Sequence, residues 1–427
     1  MKFTERDSRA IWHPYTQMKD ATHICMVRGE GAYLYDEDGN RFIDAVSSWW
    51  VNTLGHANKY IAEKVSEQLH TLEHVIFAGF THPKAIELAE RLLKHLPANQ
   101  KKIFYSDNGS TAVEVALKMA IQYWANKGIT KKKIIAFNNA YHGDTFGAMS
   151  VSGRGVFTSP FIPYLFDVVF IDVPAKEKEE DSFDQLKSVI NECDVAAFIF
   201  EPLVQGASGM IMYEPEMLDK MVTYCKANNV ITIADEVMTG FYRTGKFFAT
   251  DYLKEKPDIF CLSKGITGGT MALGATSCTL QIFDAFLSDD KTKTLYHGHS
   301  YTANPVACSA AVASLDLYEE EECALNVQRI VRKHSTFLNK IKDHPGITYI
   351  RQTGTIIAME LRTKDDTSYL NSFRDMIYNF FIGKHIILRP LGNIIYILPP
   401  YCISDKDLDY VYSSIIEFLD VEIKSYF

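Results

Sequence analysis

Two short apolar runs, residues 230–234 and 259–262, constrain the fold of this chain more than any other feature of the sequence. Each run has the length of a β-strand that is buried on both faces, which is typical of a parallel sheet. Asp235 follows the first run directly, and Lys264 lies two residues after the second. Because ligands of open parallel α/β sheets bind outside the carboxyl ends of the strands, we expect this acid and this amine on one edge of a sheet.

An acid and a lysine on one sheet edge suit a particular cofactor, pyridoxal phosphate. A lysine can hold this cofactor as a Schiff base while an acid pairs with its pyridinium nitrogen. Acids and lysines are also common at strand ends in proteins without a cofactor, so Asp235 and Lys264 alone leave a purely structural role open. Other positions along the sheet therefore have to distinguish between the two interpretations.

Short apolar segments alternate with helical patterns over residues 103–280. This alternation predicts an α/β fold, with a largely parallel sheet between helices on both faces. Tyr141, Glu201, Asp235 and Lys264 all fall at or just after the carboxyl ends of the predicted strands. Their convergence indicates a site at that edge more strongly than any single motif does. The ring of Tyr141 could stack there on a flat heteroaromatic ligand.

The composition is that of a globular protein with room for two domains. The 427 residues carry a net charge of −9 and have a pI near 5.8, which argues against general binding of nucleic acids or anionic membranes. No apolar run reaches about 18 residues and the first residues lack a signal-peptide core, so we expect a cytoplasmic protein. The eight cysteines contain no CxxC pair, and His70 and His74 lack the HExxH order, so no metal site is expected.

A glycine-serine pair precedes a long helical pattern within residues 103–124. An apolar start is followed by Gly109 and Ser110, and Thr111 with Glu114 has the spacing of a helix capping box. Free N–H groups and the helix dipole at such a position attract anions, so a phosphate group could bind there. A Gly-Ser pair before a helix more often serves only as a cap.

Residues 31–50 predict a β-hairpin, with Asp38 and Gly39 at its turn. Trp49 and Trp50 follow the second strand directly. Adjacent residues on a strand face opposite sides of the sheet, so at most one of the two tryptophans is expected to serve the core. The other could line a site.

Past about residue 330 the pattern changes to an α+β unit, in which helices alternate with apolar strand segments. Arg389 lies between two of these segments, next to Pro390. Most arginines in such positions lie on the surface or in salt bridges. A planar guanidinium is also the preferred clamp for a substrate carboxylate, so Arg389 is a candidate for that role.

Several of these segments together resemble the class III aminotransferases of the type I pyridoxal-phosphate fold, over essentially the whole chain. The stretch IADEVMTGFYRTGKFFA, followed by LSKGITGG, is close to the signature of that family. Further similar segments are IWHPYTQM, SSWWVNTLGHAN, YSDNGSTAVEVALKMA, YHGDT, EPLVQGASGM and ILRPLGNIIYILPP. The resemblance implies a large cofactor-binding domain over residues 56–328, with a mainly parallel sheet. Residues 1–55 and 329–427 would form a smaller α+β domain.

The resemblance also implies roles for individual residues. Lys264 would carry the pyridoxal phosphate, Asp235 would pair with its ring nitrogen, and Tyr141 would stack on its ring, which makes these three the catalytic candidates. The implied phosphate ligands are Gly109 and Ser110, joined by His299 and Ser300 of the partner subunit in a homodimer with shared active sites. The residues implied to line or organise the substrate pocket are Tyr15, Trp49, Tyr141, Asp144, Arg243, Lys264, Gly298 and Arg389.

Three positions distinguish this chain within the family. HGHS (297–300) stands where HGPT is usual, and Tyr242 stands where glycine is commoner. Ornithine- and GABA-type relatives carry an acid after a QG pair, whereas Ala207 follows Gln205 and Gly206 here. This difference favours a pocket for an apolar keto acid, and the paired tryptophans agree, because a long apolar chain needs aromatic walls.

Within the family, the resemblance implies transfer of an amino group to 8-amino-7-oxononanoate in biotin synthesis, by a ping-pong reaction. S-adenosyl-L-methionine is the usual amino donor of such relatives, and lysine is used by some of them. Two alternatives stay open at this point. One is an aminotransferase for ω-amino acids or diamines, and the other is a non-catalytic protein on the same fold.

Overall fold

A computed structural model describes residues 2–175, 177–364 and 367–423. In it the apolar runs form strands, and the periodic segments between them form helices. The helices are α1 (Phe3–Ala10), α2 (Ser47–Trp50), α3 (Lys59–Thr71), α4 (Pro83–His95), α5 (Gly109–Asn126), α6 (Phe146–Ser150), α7 (Glu179–Glu192), α8 (Pro215–Ala227), α9 (Leu280–Asp284), α10 (Pro305–Tyr318), α11 (Glu321–Ile341), α12 (Phe373–Gly383) and α13 (Asp405–Glu417). The strands are β1 (Met26–Glu30), β2 (Tyr33–Asp36), β3 (Arg41–Asp44), β4 (Gln100–Ser106), β5 (Lys133–Phe137), β6 (Val169–Ile171), β7 (Val195–Phe200), β8 (Val204–Gln205), β9 (Ile211–Met212), β10 (Ile231–Asp235), β11 (Ile259–Leu262), β12 (Gly274–Thr279), β13 (Ile347–Thr353), β14 (Ile356–Leu361), β15 (Ile386–Ile387) and β16 (Ile394–Ile397).

Seven strands form the central sheet, in the order β4-β12-β11-β10-β7-β5-β6. Neighbouring strands are parallel except at β12, which runs antiparallel to both β4 and β11. Every residue of β7, β10 and β11 is buried. Side chains of β7 alternate between two hydrophobic clusters, with Phe198 in one and Ile199 in the other, because both faces of the sheet are covered. The predicted α/β fold with a largely parallel sheet is confirmed.

The parallel strands bring their carboxyl ends to one edge of the central sheet. Asp235 is the last residue of β10 and lies beside Cys261 of β11. Lys264 lies two residues past the end of β11, and Glu201 follows β7. The prediction that the acid and the amine share one edge is therefore confirmed, and it follows directly from the parallel pairing.

Two smaller sheets lie outside the central one, in the orders β1-β2-β3-β15 and β13-β14-β16. β15 pairs in parallel with β3, so strands from the two ends of the chain share one sheet. One hydrophobic cluster runs from this region into the central sheet and includes Ile43, Ile386 and Phe260. This pairing supports our proposal that residues 1–55 and 329–427 form a small domain beside residues 56–328.

The hairpin is confirmed, because β2 and β3 pair antiparallel on either side of the Asp38-Gly39 turn. The two tryptophans, however, do not lie on a strand. They end the irregular turn α2, in which Ser48 has a φ of 58° and Trp49 a ψ of 55°. Trp50 is 5% exposed and Trp49 is 39% exposed. As predicted, one tryptophan lies in the core and the other does not. The irregular backbone of a turn, and not the alternation of side chains along a strand, points the two side chains in different directions.

The predicted capping box of Thr111 with Glu114 is wrong. Asn108 is the N-cap of α5: its side chain accepts from Thr111 N–H at 3.0 Å, and Thr111 Oγ1 accepts from Asn108 N–H at 3.0 Å. Thr111 is thus the third helical residue rather than the cap. Glu114 instead accepts hydrogen bonds from Thr145 Oγ1 and from Gly147 N–H, and so holds the loop that follows β5.

The most apolar helix, α10, owes its composition to burial inside the protein. Twelve of its 14 residues are buried, and it packs between α3, α4 and the turn after β11. A helix of this length is too short to cross a bilayer. Across the described ranges, no helix combines the length and the apolar character that a membrane crossing requires.

Candidate active site

The carboxyl edge of the central sheet opens into a cavity of about 380 Å³, which we call the deep cavity. Five residues predicted from the sequence meet around it: Gly109, Ser110, Tyr141, Asp235 and Lys264. Trp50, His142 and Glu201 contribute further aromatic and polar groups to its lining. These eight residues come from six different parts of the chain and meet around this one cavity.

Asp235 is held from two sides at the end of β10. Its Oδ1 accepts from Val237 N–H at 3.1 Å, and its Oδ2 lies 2.7 Å from Nδ1 of His142. The side chains of both Asp235 and His142 are buried. An ionised carboxylate only accepts hydrogen bonds, so the imidazole donates. Asp235 is therefore a fixed acid at the cavity wall, as pairing with a protonated ring nitrogen requires.

Lys264 begins a 3₁₀ turn directly after the strand β11. Its φ is 49°, a left-handed conformation that costs a non-glycine residue roughly 1–3 kcal/mol and is concentrated at functional sites. The amine lies 4.9 Å from the ring centroid of Trp50. Desolvation by the surrounding protein lowers the pKa of Lys264, although the negative charges of Asp235 and Glu201 act in the opposite direction. A lowered pKa makes the amine a better nucleophile near neutral pH.

Glu201 is a buried acid that ties two loops to the end of β7. One carboxylate oxygen accepts from Tyr141 N–H at 2.8 Å, and the other accepts from Gly206 N–H at 2.9 Å. Burial raises the pKa of Glu201 to about 7. The first of these bonds fixes the backbone of Tyr141 beside the cavity, so Glu201 positions the aromatic residue rather than facing the solvent.

The amino end of α5 faces the deep cavity. Asn108 caps the N–H of Thr111, whereas the geometry of a helix start leaves the N–H groups of Gly109 and Ser110 without an acceptor inside the helix. A Cβ at position 109 would lie 2.7 Å from Cγ1 of Val237, so only glycine fits there. The free N–H groups and the helix dipole make this end of α5 suitable for a phosphate group.

A second cavity of about 430 Å³, the outer cavity, adjoins the deep cavity at Trp50, Tyr141 and Lys264, which line both. The predicted substrate residues in its lining are Tyr15, Trp49, Tyr141, Asp144, Lys264 and Arg389. Phe157 adds a further aromatic wall, and Ala207 lines it where some relatives carry an acid. The outer cavity is therefore mainly aromatic and leads to the amine of Lys264.

Three polar groups meet where the two cavities join. Tyr15 donates from its hydroxyl to Oδ2 of Asp144 at 2.5 Å, and Tyr141 donates to the same oxygen at 2.9 Å. The two hydroxyl oxygens lie 3.2 Å apart. Burial raises the pKa of both tyrosines, so both stay protonated at neutral pH. Asp144 thus orients the ring of Tyr141 and ties the N-terminal segment to the site.

Arg389 lies among aromatic rings in the outer cavity. Its guanidinium carbon is 4.5 Å from the ring centroid of Trp49 and 6.0 Å from that of Tyr15. Its Nη2 donates to the hydroxyl of Tyr369 at 3.2 Å. These neighbours are uncharged groups that hold the guanidinium in place, and its positive charge remains available for a substrate carboxylate.

Arg243 was predicted to organise the substrate pocket, and it lies behind the cavity wall. The residue is 1% exposed and donates to the carbonyl oxygens of Pro399 at 2.9 Å and Trp50 at 3.4 Å. Burial lowers the pKa of its guanidinium. Arg243 therefore supports the backbone of Trp50, which lines both cavities, and its role in the substrate pocket stays a prediction.

Gly298, His299 and Ser300 lie on the loop before α10, outside the described lining of both cavities. Nδ1 of His299 lies 3.0 Å from the carboxylate of Asp107, and its backbone N–H donates to Thr302 Oγ1 at 2.9 Å. Gly298 and Ser300 are exposed. Their predicted place in the active site of a partner subunit stays a prediction.

Residues 15–419 match the Aminotransferase class-III family. This chain belongs to the class III aminotransferases. A relative from Synechococcus elongatus, named adenosylmethionine-8-amino-7-oxononanoate aminotransferase, is 46% identical over 419 residues, which cover 96% of this chain and 98% of the relative. The crystal structure of the protein of that name from Methanocaldococcus jannaschii has a TM-score of 0.93 at 38% identity and covers 98% of each chain. An amine transaminase from an uncultivated Pseudomonas species, solved with pyridoxal phosphate bound, has a TM-score of 0.91 at 29% identity and covers 98% of this chain and 99% of that chain.

A class III aminotransferase is a pyridoxal-phosphate-dependent transaminase, and the deep cavity fits that cofactor. Its volume lies within the range of about 300–1,000 Å³ that is typical of small-molecule sites. Lys264 would hold the cofactor covalently, Asp235 would pair with its ring nitrogen, and the amino end of α5 would bind its phosphate. The predicted family, enzyme class and cofactor are confirmed.

Three residues of this class III aminotransferase site were missed or left without a role in the sequence analysis. Glu201 was placed at the sheet edge, but its contact with the Tyr141 loop is visible only in three dimensions. His142 follows Tyr141 at a strand end, a position that could have suggested a partner for Asp235. Tyr369, which holds Arg389, has no sequence signal, because it lies in an irregular segment far from the other site residues.

Proposed function

We propose that this protein converts 8-amino-7-oxononanoate to 7,8-diaminononanoate in biotin biosynthesis, with S-adenosyl-L-methionine as the amino donor. The observation that carries the proposal is the outer cavity, in which aromatic walls and the guanidinium of Arg389 surround the approach to Lys264. This combination suits a long apolar keto acid with one carboxylate. The names of the relatives from Synechococcus elongatus and Methanocaldococcus jannaschii support the same substrate.

Asp235 and Lys264 of the deep cavity would have different roles in the reaction. When bound, pyridoxal phosphate supplies an electron sink for the carbanion that forms at the donor carbon. Asp235, held by His142, would keep the ring nitrogen protonated. The Nζ amine of Lys264 would take the proton from the donor carbon as a general base and deliver it to C4′ of the cofactor as a general acid. Its lowered pKa favours the neutral amine that the first of these steps requires.

The outer cavity would receive both substrates of the ping-pong reaction in turn. The aromatic walls of Tyr15, Trp49 and Phe157 bind by apolar contact, which tolerates two different shapes better than a tight polar cage does. Arg389 would bind the carboxylate of the keto acid. Ala207 lines this cavity where some relatives carry an acid, so no carboxylate at that position competes for the guanidinium.

The reaction itself can be tested with the cofactor-loaded protein. Formation of 7,8-diaminononanoate, followed by mass spectrometry, is expected only when both 8-amino-7-oxononanoate and a donor are present. Half-reactions with one donor at a time, followed by the cofactor absorbance, would distinguish S-adenosyl-L-methionine from lysine. Amino transfer with β-alanine or putrescine, and none with the oxononanoate, would contradict the proposed substrate.

An ω-amino acid or amine transaminase is the second candidate. The observation in its favour is the close backbone similarity to the Pseudomonas amine transaminase, whose TM-score is nearly as high as that of the Methanocaldococcus structure. The lower sequence identity of the amine transaminase weighs against it. The same substrate panel would distinguish the two functions.

The role of Lys264 has its own test. The Lys264→Ala variant is expected to lose the cofactor chromophore that borohydride reduction fixes to the protein, because no other amine was found in the lining of the deep cavity among the described residues. A Lys264→Arg variant keeps the positive charge and serves as the matched control for charge alone. An unchanged visible spectrum in the alanine variant would rule out this assignment of Lys264.

We infer a homodimer in which His299 and Ser300 reach the phosphate site of the partner subunit, and Gly298, on the same loop, lines a substrate pocket. Two aromatic residues on the same loop, Tyr296 and Tyr301, are 70% and 65% exposed, an apolar surface that association would cover. This position explains why the loop stays outside the cavities of its own chain.

Mixed dimers can test the shared site. If the loop serves the partner subunit, a dimer of one Lys264→Ala chain and one Ser300→Ala chain contains one site with both residues intact. That site is expected to bind the cofactor as tightly as the wild type does. If each chain uses its own Ser300, no intact site forms, and the remaining lysine-bearing site shows the weakened affinity of the Ser300→Ala homodimer.

We also place the enzyme in the cytoplasm. All eight cysteines are free thiols, which is typical of a reducing compartment. Fractionation of cells that express the tagged protein would test this location. Recovery with periplasmic or membrane fractions would contradict it.

A further inference from the structure

Three side chains of metal-binding type meet in the N-terminal segment: Asp7, His13 and His23, which we call the N-terminal cluster. Nε2 of His13 lies 2.8 Å from Oδ2 of Asp7, and Nε2 of His23 lies 4.0 Å from the same oxygen. One ligand atom from each residue lies within 4.8 Å of the others. None of the three lines the deep or the outer cavity, so the cluster is separate from the site described above.

The spacing of these atoms is close to that of a coordinated ion. Zinc binds imidazole nitrogens at about 2.0–2.1 Å and carboxylate oxygens at about 2.0–2.2 Å, so two such ligands are about 3.3 Å apart in a tetrahedral site. The distances from Asp7 to His13 and to His23 lie on either side of that value. Closing these distances, with a rotation of the two imidazole rings, would bring all three ligand atoms around one ion.

The cluster also has an unsatisfied nitrogen. Nε2 of His23 is buried, and no described group forms a hydrogen bond with it. Leaving a buried polar atom unpaired destabilises the folded protein, and a bound cation would supply the missing partner. The rings of His13 and His23 are stacked, with centroids 3.8 Å apart and planes at 22°. This stacking places the two imidazoles side by side next to the carboxylate of Asp7.

We propose that Asp7, His13 and His23 bind one Zn²⁺ ion. Two imidazoles and one carboxylate are a donor set that zinc prefers over harder ions such as Mg²⁺ and Ca²⁺. The three side chains are 18–29% exposed, which leaves a side open for a water as the fourth ligand. The sequence analysis missed the cluster, because its ligands are six and ten residues apart, one on α1 and two in the irregular segment after it, and they form no recognised metal motif.

The ion would fasten the segment that delivers Tyr15 to the active site. None of the eight residues of α1 is buried. At its start, the hydrogen bonds from Lys2 to Asp38 and from Phe3 N–H to Glu37 both lie on the exposed surface. His13 lies two residues before Tyr15 and His23 eight residues after it. Zinc would therefore close a loop around Tyr15 and reduce the freedom of its chain.

Calorimetric titration of Zn²⁺ into the cofactor-loaded full-length protein tests the site. We expect one site per chain in the wild type, and its loss in both Asp7→Asn and His23→Gln. Asp7 lies on a helix that buries nothing, so its substitution removes a ligand without disturbing the core. His70→Gln, an exposed histidine on α3, and Cys402→Ser are matched controls that are expected to keep the site.

Hydrogen exchange measured by mass spectrometry gives a second readout that does not depend on activity. One equivalent of Zn²⁺ is expected to slow exchange in residues 3–25 of the wild type and to leave that of Asp7→Asn unchanged. The proposal is overturned if zinc binds equally to the wild type and to both cluster variants, if Cys402→Ser abolishes the site, or if residues 3–25 are not protected.

Discussion

The deep cavity and the outer cavity of this enzyme are built in different ways. Asp235 and Glu201 of the deep cavity lie at the ends of buried strands, and each carboxylate is held by two hydrogen bonds. Tyr15, Trp49 and Arg389 of the outer cavity come from an N-terminal segment, an irregular turn and a late connection between strands, and Trp49 is 39% exposed. The deep cavity is formed by residues at the edge of the central sheet, whereas the outer cavity is formed by segments outside that sheet.

This difference separates two tasks. The charges of the deep cavity cannot move when the substrate changes, so they act on a step that every substrate shares. The walls of the outer cavity bind through apolar contacts and a single guanidinium, so they can adapt to a donor and an acceptor of different shape. Substitutions in the deep cavity should therefore lower kcat for all substrates, whereas those in the outer cavity should change KM for some of them.

The largest effect is expected for Asp235→Asn. Removing one partner of a buried charged pair costs about 3–5 kcal/mol of stability, and a loss of the same size in transition-state stabilisation would lower kcat about 10²–10⁴-fold. The loss should be the same with every amino donor, because Asp235 would act through the ring nitrogen of the cofactor. Single-turnover kinetics with S-adenosyl-L-methionine and with lysine would measure it. A loss confined to one donor would contradict the common role of the deep cavity.

Arg389→Met should have a smaller and more selective effect. A hydrogen bond to a charged group contributes about 1.5–3 kcal/mol, so KM for the oxononanoate should rise about 10–100-fold with little change in kcat. Methionine keeps much of the length and the apolar contact of the side chain with Trp49. Arg332→Met, an exposed arginine on α11, is the control and should leave both constants unchanged. An equal loss for a monoamine without a carboxylate would argue against the clamp.

The same contrast explains what the sequence could predict. Asp235 and Lys264 follow apolar runs, and parallel pairing brings such positions to one edge, so local pattern was enough to place them together. The outer cavity joins residues from both ends of the chain, and no local pattern relates Tyr15 to Arg389. Only the resemblance to a family placed those residues in one pocket.

The errors have equally local causes. Thr111 and Glu114 have the right spacing for a capping box, but Asn108, one residue before the glycine-serine pair, is the N-cap of the helix. Glu114 is then free to hold the loop after β5. The turn at Trp49 was missed because the segment contains no Gly, Asn or Asp, the residues that usually adopt a positive φ, although Ser47, Ser48 and Trp50 all adopt one here.

Acid stability provides a way to separate unfolding from effects within either cavity. His334 lies outside both, bonded to Tyr412 and to the Thr355 carbonyl, and burial lowers its pKa to about 3. The unfolded chain takes up a proton near pH 6.5, whereas the folded chain does so only near pH 3. The free energy of unfolding should therefore fall as the pH drops through this window, by about 2 kcal/mol between pH 6.5 and 5.

Urea unfolding of wild type and His334→Gln at pH 7 and pH 5 would measure this contribution. The variant is expected to be less stable at pH 7, because a buried hydrogen-bonded pair is altered, and to lose less stability on acidification. His70→Gln, whose side chain is exposed, should behave like the wild type at both values. If the free energy of unfolding depends on pH identically in wild type and His334→Gln, other groups cause the loss of stability in acid.

The smallest effect is expected for Tyr15→Phe, which tests the boundary between the two cavities. The change removes the hydroxyl that donates to Asp144 and keeps the aromatic wall, while Tyr141 still donates to the same carboxylate. We expect a loss of about 1 kcal/mol, or roughly fivefold in kcat/KM, and mostly in KM. Tyr15→Ala removes the wall as well and should cost more with the longer substrate. If Tyr15→Phe instead lowers kcat equally for every donor, the hydroxyl cluster acts on the shared chemical step. Tyr15 would then belong functionally to the deep cavity, and only Trp49 and Arg389 to the outer one.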